Sequence, residues 1–304
     1  MQRATTTLRA LVKGGKFLEL PSAYDPITAR LAESAGFKTV YNGGFVTGAS
    51  TCISEPQLTM NEQIRVASDM ANAVKIPVIM DAGAGWGEPL HTMRTVRECI
   101  RAGIAGIHIE DQHFPKRAHY HTYVVHNIPI EEYRDKIRLA CEQRDRSDKD
   151  FVIIARSDAA RIQGLKEAIK RVNLGADQGA DMGLIFPTNH AEAVKTPKLA
   201  KLPMIYVQSR GTRDKRPLYS YSQLKDMGYA GCIDATFAVC IHFHFMRKAF
   251  QELKRTGDYT GMSEQEFVVA RKAVEDIIGL EEYYRIEEET VEKLYGKKKV
   301  SAKR

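Results

Sequence analysis

The feature that most constrains this chain is a series of eight short apolar segments that recur over its first three quarters. Each is too short to be a helix, and each is too uniformly apolar to be a strand with one face in water. Parallel strands that are covered on both faces have this composition. The eight predicted strands are residues 17–20, 39–41, 78–80, 106–109, 152–155, 182–186, 204–207 and 231–233.

Helical spacing of apolar residues fills most of the intervals between these segments. Predicted helices cover residues 27–35, 60–74, 90–102, 130–144, 165–173 and 237–255. Thr59 and Glu62 have the spacing of a capping box, and Gly36 follows a helix as a typical C-terminal stop. Strands that alternate with helices, with no Pro- or Ser-rich linker, predict a (β/α)₈ barrel. An open doubly wound sheet is the alternative, because periodicity does not prove closure.

The predicted organisation has three parts. Residues 1–258 form the barrel domain, residues 259–296 a C-terminal helical extension, and residues 297–304 a basic, disordered tail. Ser263 and Glu266 cap a helix that runs to Ile278, and residues 280–294 form another. These helices have no strand to cover, yet they carry apolar side chains such as Phe267 and Val268. We therefore expect them to pack against another subunit. The protein is therefore expected to be a homo-oligomer.

Charge and cysteine content restrict the function and the compartment. The formal net charge is +7, but residues 297–304 hold five basic residues, and the remaining chain carries only +2. A lysine-rich end is usually solvated, so no nucleic-acid partner is expected. Five widely spaced cysteines without a CxxC pair indicate a reducing compartment. The chain has neither a signal-peptide core nor an apolar run of about 18 residues, which predicts a cytoplasmic protein without a membrane partner.

Ionisable residues follow the predicted strands, and in a barrel the C-terminal strand ends carry the active site. Asp81 ends the third strand and Glu110 ends the fourth, so two carboxylates should converge. Converging carboxylates repel unless they are protonated or bridged by a cation, and oxygen-rich surroundings suit Mg²⁺ or Mn²⁺. The alternative is that one carboxylate caps a helix or pairs with an arginine.

Arg156, after the fifth strand, offers a planar fork for a substrate carboxylate or phosphonate. Its structural alternative is a pair with a neighbouring acid such as Asp158. Gly43 and Gly44 follow the second strand, where backbone N–H groups can approach a ligand closely and form an oxyanion hole.

The segment 113–121 is polar and aromatic and does not have helical spacing, so it is expected to be a loop that closes over the barrel mouth. Five of the nine histidines fall within or near it. Their spacing matches no recognised zinc or iron pattern, so a histidine-based metal site is the less favoured interpretation.

The strand ends, read in order, resemble those of the isocitrate lyase/phosphoenolpyruvate mutase superfamily, and the resemblance covers about residues 8–257. The motifs that carry it are Ser-Ala-Tyr-Asp at 22–25, Tyr-Asn-Gly-Gly at 41–44, Asp-Ala-Gly-Ala-Gly-Trp-Gly at 81–87, His-Ile-Glu-Asp-Gln at 108–112, Phe-Pro-Lys at 114–116, Ala-Arg-Ser-Asp at 155–158, Ile-Phe-Pro at 185–187 and Pro-Leu-Tyr-Ser at 217–220. Taken together these motifs are specific, although none of them would be so alone.

The resemblance implies a barrel whose C-terminal helix is exchanged between subunits of a dimer within a tetramer. It also implies Mg²⁺ or Mn²⁺, an oxo- or hydroxy-carboxylate substrate and an enolate intermediate. It identifies Asp81 as the direct metal ligand and Glu110 and Glu55 as acids that reach the metal through water. The substrate-binding residues that we predict are Asn42, Gly43, Gly44, Arg156, Asn189 and Gln208. The predicted catalytic residues are Tyr41, Lys116, His119, Tyr120 and His121.

Several positions depart from the family's patterns. Gly83 stands where a second aspartate is usual, which removes a carboxylate from the expected metal site. Ala118 stands where the carbon–carbon lyases have a proton-donating cysteine, so His119, Tyr120 or His121 would have to donate the proton. The phosphonate branch's loop pattern is also incomplete. Residues 207–211, Val-Gln-Ser-Arg-Gly, replace the usual motif after the seventh strand.

The sequence therefore predicts a methylisocitrate lyase-like enzyme without the lyase loop cysteine. We expect it to be a metal-dependent carbon–carbon lyase or decarboxylase that acts on a small 2-oxo- or 2-hydroxy-dicarboxylate. One alternative is a mutase or hydrolase of the phosphonopyruvate type. The other is a barrel that binds a metabolite without catalysis, since Gly83 and Ala118 weaken the catalytic set and function follows from sites, not folds.

Overall fold

The computed structural model describes residues 2–117, 123–212 and 215–295. The predicted catalytic residues His119, Tyr120 and His121 and the predicted basic tail lie outside these residues. The strands are β1 Leu18–Ala23, β2 Val40–Asn42, β3 Val78–Asp81, β4 Gly106–Ile109, β5 Val152–Ser157, β6 Met182–Ile185, β7 Met204–Gln208 and β8 Gly231–Asp234.

The eight strands form a closed barrel in which each strand pairs in parallel with the next along the chain. Closure comes from β8, which pairs with β1 from Leu18 opposite Gly231 to Pro21 opposite Asp234. The predicted (β/α)₈ barrel is therefore confirmed, and the open doubly wound sheet was the wrong alternative. Each of the eight predicted segments overlaps a strand, which follows from the burial of these strands on both faces.

Helices alternate with the strands along the chain and continue after β8. They are α1 Ala4–Lys13, α2 Pro26–Ser34, α3 Gly44–Ser50, α4 Met60–Ala73, α5 Pro89–Arg101, α6 Ile130–Ser147, α7 Ala160–Gln163, α8 Leu165–Asp177, α9 His190–Leu199, α10 Tyr221–Met227, α11 Phe237–Thr256, α12 Glu264–Ile278, α13 Leu280–Glu289 and α14 Val291–Tyr295, with a 3-10 helix at Glu55–Gln57. Both predicted capping boxes, at Thr59 and Ser263, are present. The prediction missed α1, α3, α7, α9 and α10; of these, α3, α7 and α10 have seven residues or fewer and are too short for a periodic pattern.

Inward-facing residues of the strands form the core of the barrel. Leu8 of α1, which is fully buried, packs with this core, and a Cβ at Gly106 of β4 would lie 3.1 Å from Leu8 Cδ2. Because α1 precedes β1, apolar side chains fill the N-terminal end of the barrel. Polar residues therefore collect at the opposite, C-terminal end, where the loops after the strands begin.

The chain divides into two compact units, one that ends at His242 and one that begins at Phe243, within α11. The predicted boundary at residue 258 remains a prediction. In the second unit Phe243, Phe245 and Phe250 are each more than 60% exposed. The predicted exchange of C-terminal helices between subunits also remains a prediction. Within the residues that the structure describes, no helix has the length and apolar character needed to span a bilayer.

Candidate active site

Alternation along the strands aims four polar side chains into the C-terminal end of the barrel. Ile79 of β3 and Ile154 of β5 face the barrel core. Asp81 and Arg156 each lie two positions further along the same strand, so they face the same way. Tyr41 of β2 faces the same core, and His108 of β4 lies beside it. All four side chains are buried. The parallel register of the barrel therefore brings together residues that are far apart in the sequence.

Asp81 is held by backbone donors at the end of β3. Its Oδ1 accepts a hydrogen bond from Gly83 N at 2.8 Å, and its Oδ2 accepts one from Gly44 N at 3.3 Å. Burial alone would raise the pKa of Asp81, but His108 in its protonated form, Arg156 and Lys116 outweigh it and hold the pKa well below the usual range. The carboxylate is thus ionised across the physiological range.

Lys116 lies between two buried acids. Its Nζ pairs with Glu55 Oε1 and lies 3.1 Å from Glu110 Oε1, and all three side chains are at most 7% exposed. A side chain at position 44 would collide with Glu55, because a Cβ there would lie 2.7 Å from Glu55 Cδ. Gly44 therefore allows Glu55, on the 3-10 helix, to reach the end of the barrel. The structure thus brings the predicted residues Glu55, Glu110 and Lys116 into one cluster with Asp81.

The guanidinium of Arg156 is already engaged by acids. Its Nε and Nη2 donate to the two oxygens of Asp158, each at 2.9 Å, and Nη2 also lies 2.9 Å from Glu110 Oε2. Nη1 lies 3.8 Å from Asp81 Oδ2. Gln112 also donates a hydrogen bond to Asp158. The structural alternative for Arg156, a pair with Asp158, is therefore present, and most of the fork is not available to a ligand.

A tyrosine–histidine pair completes the buried cluster. Tyr41 Oη lies 2.8 Å from His108 Nε2, and the two rings stack with centroids 5.7 Å apart. Burial lowers the pKa of His108 to about 4, although Asp81 opposes this effect, so the imidazole is neutral at pH 7. Burial also raises the pKa of Tyr41 well above 10. Sequence reasoning missed His108 as a site residue, although its place two residues before Glu110 puts both on one face of the chain.

These residues open into a cavity of about 440 Å³, a size that is usual for a small-molecule site. Tyr41, Gly44, Glu55 and Asp81 line one part of it. The part formed by the later strands carries a set of residues that the sequence did not single out as ligand-binding: Arg161, Phe186, Ser209, Arg210, Thr212 and Arg216. The cavity is therefore lined by acids, among them Glu55 and Asp81 at what we call its acidic end, and by four arginines.

Three predicted substrate-binding side chains lie outside this cavity lining. Asn42 is fully buried and bonds to Ala23 O at 3.2 Å and Thr47 Oγ1 at 3.0 Å. Asn189 is exposed and caps α9. Gln208 Oε1 accepts from Tyr219 N at 3.2 Å. Asn42 and Gln208 follow inward-facing residues by one position, so strand alternation turns them outward; a ligand-binding role for the three remains a prediction.

The acids of the cluster have the chemistry that a magnesium ion requires. With every acid ionised, Glu55, Asp81, Glu110 and Asp158 outnumber the cations Lys116 and Arg156 by two charges. Glu110 Oε1 is buried, and Lys116 Nζ lies 3.1 Å from it as an ion-pair partner. No group of three His, Cys, Asp or Glu in the described ranges is close enough to enclose a metal. Mg²⁺ usually keeps several waters and binds through one or two carboxylates, so Asp81 with water-mediated Glu55 and Glu110 fits it.

Glu110 should make the metal-free protein less stable as the pH rises. Burial raises its pKa to about 7, although Arg156 and Lys116 oppose the rise. The folded state therefore binds a proton more tightly than the unfolded state between about pH 4.5 and 7. Relative to Glu110→Gln, the wild type should lose on the order of 3 kcal/mol of unfolding free energy across this window. Urea unfolding of both proteins in EDTA at pH 5, 6, 7 and 8 measures the difference, and a constant difference would contradict it.

Comparisons with known proteins agree with the observed fold. Residues 8–254 match the family model described as phosphoenolpyruvate phosphomutase. A probable 2-methylisocitrate lyase 2 of Corynebacterium glutamicum is 33% identical over 264 residues, which cover 83% of this chain and 81% of the relative. A crystal structure of 2,3-dimethylmalate lyase matches with a TM-score of 0.88 at 29% identity over 99% of this chain and 100% of that chain. A phosphonopyruvate hydrolase in complex with oxalate and Mg²⁺ matches with a TM-score of 0.82 at 25% identity over 95% and 100%.

Proposed function

This chain belongs to the phosphoenolpyruvate phosphomutase family, and we propose that it cleaves a carbon–carbon bond of a small 2-oxo- or 2-hydroxy-dicarboxylate through an enolate. The relatives named above are a lyase of 2-methylisocitrate, a lyase of 2,3-dimethylmalate and a hydrolase of phosphonopyruvate. The observation that carries the proposal is the cluster of Asp81, Lys116 and Arg156, of which Asp81 and Arg156 line the cavity. A divalent ion and an acid substrate are the ligands that this cluster suits.

The acidic end of the cavity would hold the reacting half of the substrate. Asp81 would bind Mg²⁺ or Mn²⁺ directly, and Glu55 and Glu110 would hold its waters. A bound ion of this kind supplies Lewis-acid stabilisation of the enolate oxygen. The predicted backbone donors Gly43 and Gly44 lie at the start of α3, beside Asp81, where they would orient the carboxylate of the substrate.

Proton transfer would use Tyr41 and His108 together with one of the predicted proton donors. Tyr41 remains protonated because burial raises its pKa, and its single hydroxyl proton can be donated either to His108 Nε2 or to an oxygen of the substrate. Neutral His108 accepts from Tyr41 through Nε2 when its proton is on Nδ1, which is 3.6 Å from Asp81 Oδ1. The proton that quenches the enolate would come from His119, Tyr120 or His121, which replace the loop cysteine of the carbon–carbon lyases.

The experiment that tests this function incubates metal-stripped protein with and without Mg²⁺ or Mn²⁺. The substrates are oxaloacetate, 2-methylisocitrate, 2,3-dimethylmalate and phosphonopyruvate, and the products are identified by mass spectrometry and a phosphate assay. Pyruvate or another oxo acid formed from a carbon substrate only in the presence of metal supports the proposal. The absence of turnover, together with a ligand-dependent shift in Tm, would instead support a barrel that binds a metabolite without catalysis.

Carbon–phosphorus bond cleavage is the second candidate. The match to phosphonopyruvate hydrolase over 95% of this chain favours it, because the same metal and oxo-carboxylate site serves either bond. Phosphate released from phosphonopyruvate, with no product from the carbon substrates, would assign this reaction and overturn the first proposal.

A further inference from the structure

We infer that Gln63 holds a water molecule of the bound metal ion, in a small pocket beside Asp81 that glycine at position 83 leaves open. The inference rests on the proposed function, because it assigns a further residue to the metal site of that function. It gives this chain an acceptor in place of the aspartate that is usual at position 83. Gln63 is thus a positioning residue, which acts on the ion through water.

The small pocket adjoins the main cavity. It has a volume of about 30 Å³, and Gly44, Glu55 and Asp81 line both spaces. Gln63 and Gly83 line the small pocket but not the main cavity. A space of this size holds about one or two water molecules when polar groups line it. The pocket is therefore suited to water that lies next to the proposed direct metal ligand.

The side-chain oxygen of Gln63 is the group that points to such a water. Gln63 is 1% exposed, and its Oε1 is buried with no hydrogen-bond donor among the residues that the structure describes. A buried amide oxygen without a donor is unfavourable, and ordered water is the usual partner of such a group. The small pocket, which Gln63 lines, has the room for this water.

The orientation of the Gln63 amide follows from its neighbours. Asn42 Nδ2 donates to the backbone oxygen of Ala23 at 3.2 Å, and Asn42 Oδ1 accepts from Gln63 Nε2 at 2.6 Å. Reversing both amides would place Asn42 Oδ1 against the oxygen of Ala23, and two acceptors repel each other. Gln63 must therefore use its NH₂ group toward Asn42, which leaves its oxygen for another donor. Asn42, predicted to bind the substrate, thereby orients Gln63.

The backbone at Gly83 is tied to two acids of the proposed metal site. Gly83 N donates to Asp81 Oδ1 at 2.8 Å, and Gly83 O accepts from Glu110 N at 2.9 Å. A Cβ at position 83 would meet no atom within 4 Å beyond its chain neighbours. A side chain here would therefore extend into open space beside Asp81, and glycine leaves that space to water.

The chemistry of the ion explains why this acceptor matters. Asp81 is the one direct protein ligand in the proposed site, so most of the coordination sphere of Mg²⁺ or Mn²⁺ is water. Glu55 and Glu110 would accept from some of these waters, and both are also paired with Lys116. Gln63 Oε1 supplies a further acceptor. Because an amide oxygen is neutral, we expect it to hold the ion more weakly than a carboxylate at position 83 would.

The test measures Mn²⁺ binding by electron paramagnetic resonance, without substrate, in the wild type, Gln63→Met, Gly83→Asp and the double variant. We expect Gln63→Met to weaken binding about ten-fold, since outer partners of a metal site commonly contribute this much. Gly83→Asp should tighten binding by about ten-fold or more, because a charged acceptor is stronger than a neutral one. In the Gly83→Asp protein, Gln63→Met should change the Kd less than about two-fold, because the carboxylate then fills the pocket.

Two controls separate this effect from changes in the backbone or the fold. Gly83 has a φ of +50°, where alanine bears at least as much strain as aspartate. Gly83→Ala therefore changes the backbone without adding an acceptor, and it should not tighten Mn²⁺ binding. Gln143→Met on α6 replaces an exposed glutamine that donates to Ser147 at 2.7 Å, and it should leave the Kd unchanged.

The outcomes distinguish this inference from the proposed function. If Gln63 only supported the fold, Gln63→Met would weaken Mn²⁺ binding equally with glycine or aspartate at position 83, and such additivity would overturn the inference alone. Gly83→Asp keeps the test decisive if Gln63→Met does not fold, because an aspartate that fails to tighten binding also contradicts the inference. An anomalous peak in the small pocket of Rb⁺-soaked crystals would assign it to a monovalent cation instead of water. A wild type that binds no Mn²⁺ would overturn the inference and the proposed function together.

Discussion

Replacing Asp81 with asparagine should lower kcat by about three orders of magnitude or more. Asp81 accepts from Gly83 N and Gly44 N on its two oxygens, at 2.8 and 3.3 Å. An amide presents an oxygen to only one of these donors and carries no charge for a cation. The substitution therefore removes the proposed direct metal ligand and turns an NH₂ group toward a backbone N–H.

The measurements are kcat with the substrate found in the product assay and Mn²⁺ binding by electron paramagnetic resonance. Asp148→Asn is the control, because Asp148 is also buried but precedes β5 at the other end of the barrel, where it accepts from Thr5 at 2.8 Å. The control should bind Mn²⁺ and turn over like the wild type. An Asp81→Asn protein that keeps more than a tenth of the wild-type kcat would show that Asp81 is not the metal ligand.

Replacing Lys116 with methionine should lower the free energy of unfolding by about 3–5 kcal/mol at pH 8 in EDTA. Lys116 Nζ pairs with both Glu55 and Glu110, which are 7% and 0% exposed. Both acids reinforce the charge of Lys116 and raise its pKa despite burial. Without the ammonium, two carboxylates remain close together in a buried site, and each must lose its charge or remain uncompensated.

Urea unfolding measures this loss, and two further variants test its cause. Glu55→Gln combined with Lys116→Met should recover part of the lost stability, because one of the two unpaired charges is gone. Lys136→Met is the matched control: Lys136 is 1% exposed and donates to Ala84 O at 2.9 Å, with no carboxylate at salt-bridge distance among the described residues. The control should lose under about 2 kcal/mol. A double variant no more stable than Lys116→Met would rule out repulsion as the cause.

Much of the fold could be predicted from the sequence because a barrel strand carries a local signal. Each segment such as 78–80 or 152–155 is apolar at every position, which is what burial on both faces requires. Closure was not predictable in this way, because the pairing of Leu18 with Gly231 joins residues over 200 positions apart. Helices of seven residues or fewer, such as α3, were missed because they contain too few turns for a pattern.

The candidate site was predictable to the extent that it depends on strand ends. Asp81, Glu110 and Arg156 each follow an apolar run. In a (β/α)₈ barrel, residues at the C-terminal ends of the strands meet at the same end of the barrel. The structure places them in contact, since Arg156 lies 2.9 Å from Glu110 and 3.8 Å from Asp81. Predictions based on sequence neighbours alone were weaker, because a shift of one residue along a strand reverses the face. Asn42 and Gln208 lie next to inward-facing residues and point away from the cavity for this reason.

The sequence by itself determined the alternation of buried strands and helices and the acids and the arginine at the strand ends. It also determined that Gly83 and Ala118 stand where an aspartate and a cysteine are usual. These are local facts, since each depends on a residue and its near neighbours. Only the tertiary structure decided that Lys116 pairs with both Glu55 and Glu110, and that Phe186 lies against both Arg156 and Arg216. Such contacts depend on how separate loops meet above a closed barrel, and the relative positions of loops are fixed by packing and register, which no short stretch of sequence encodes.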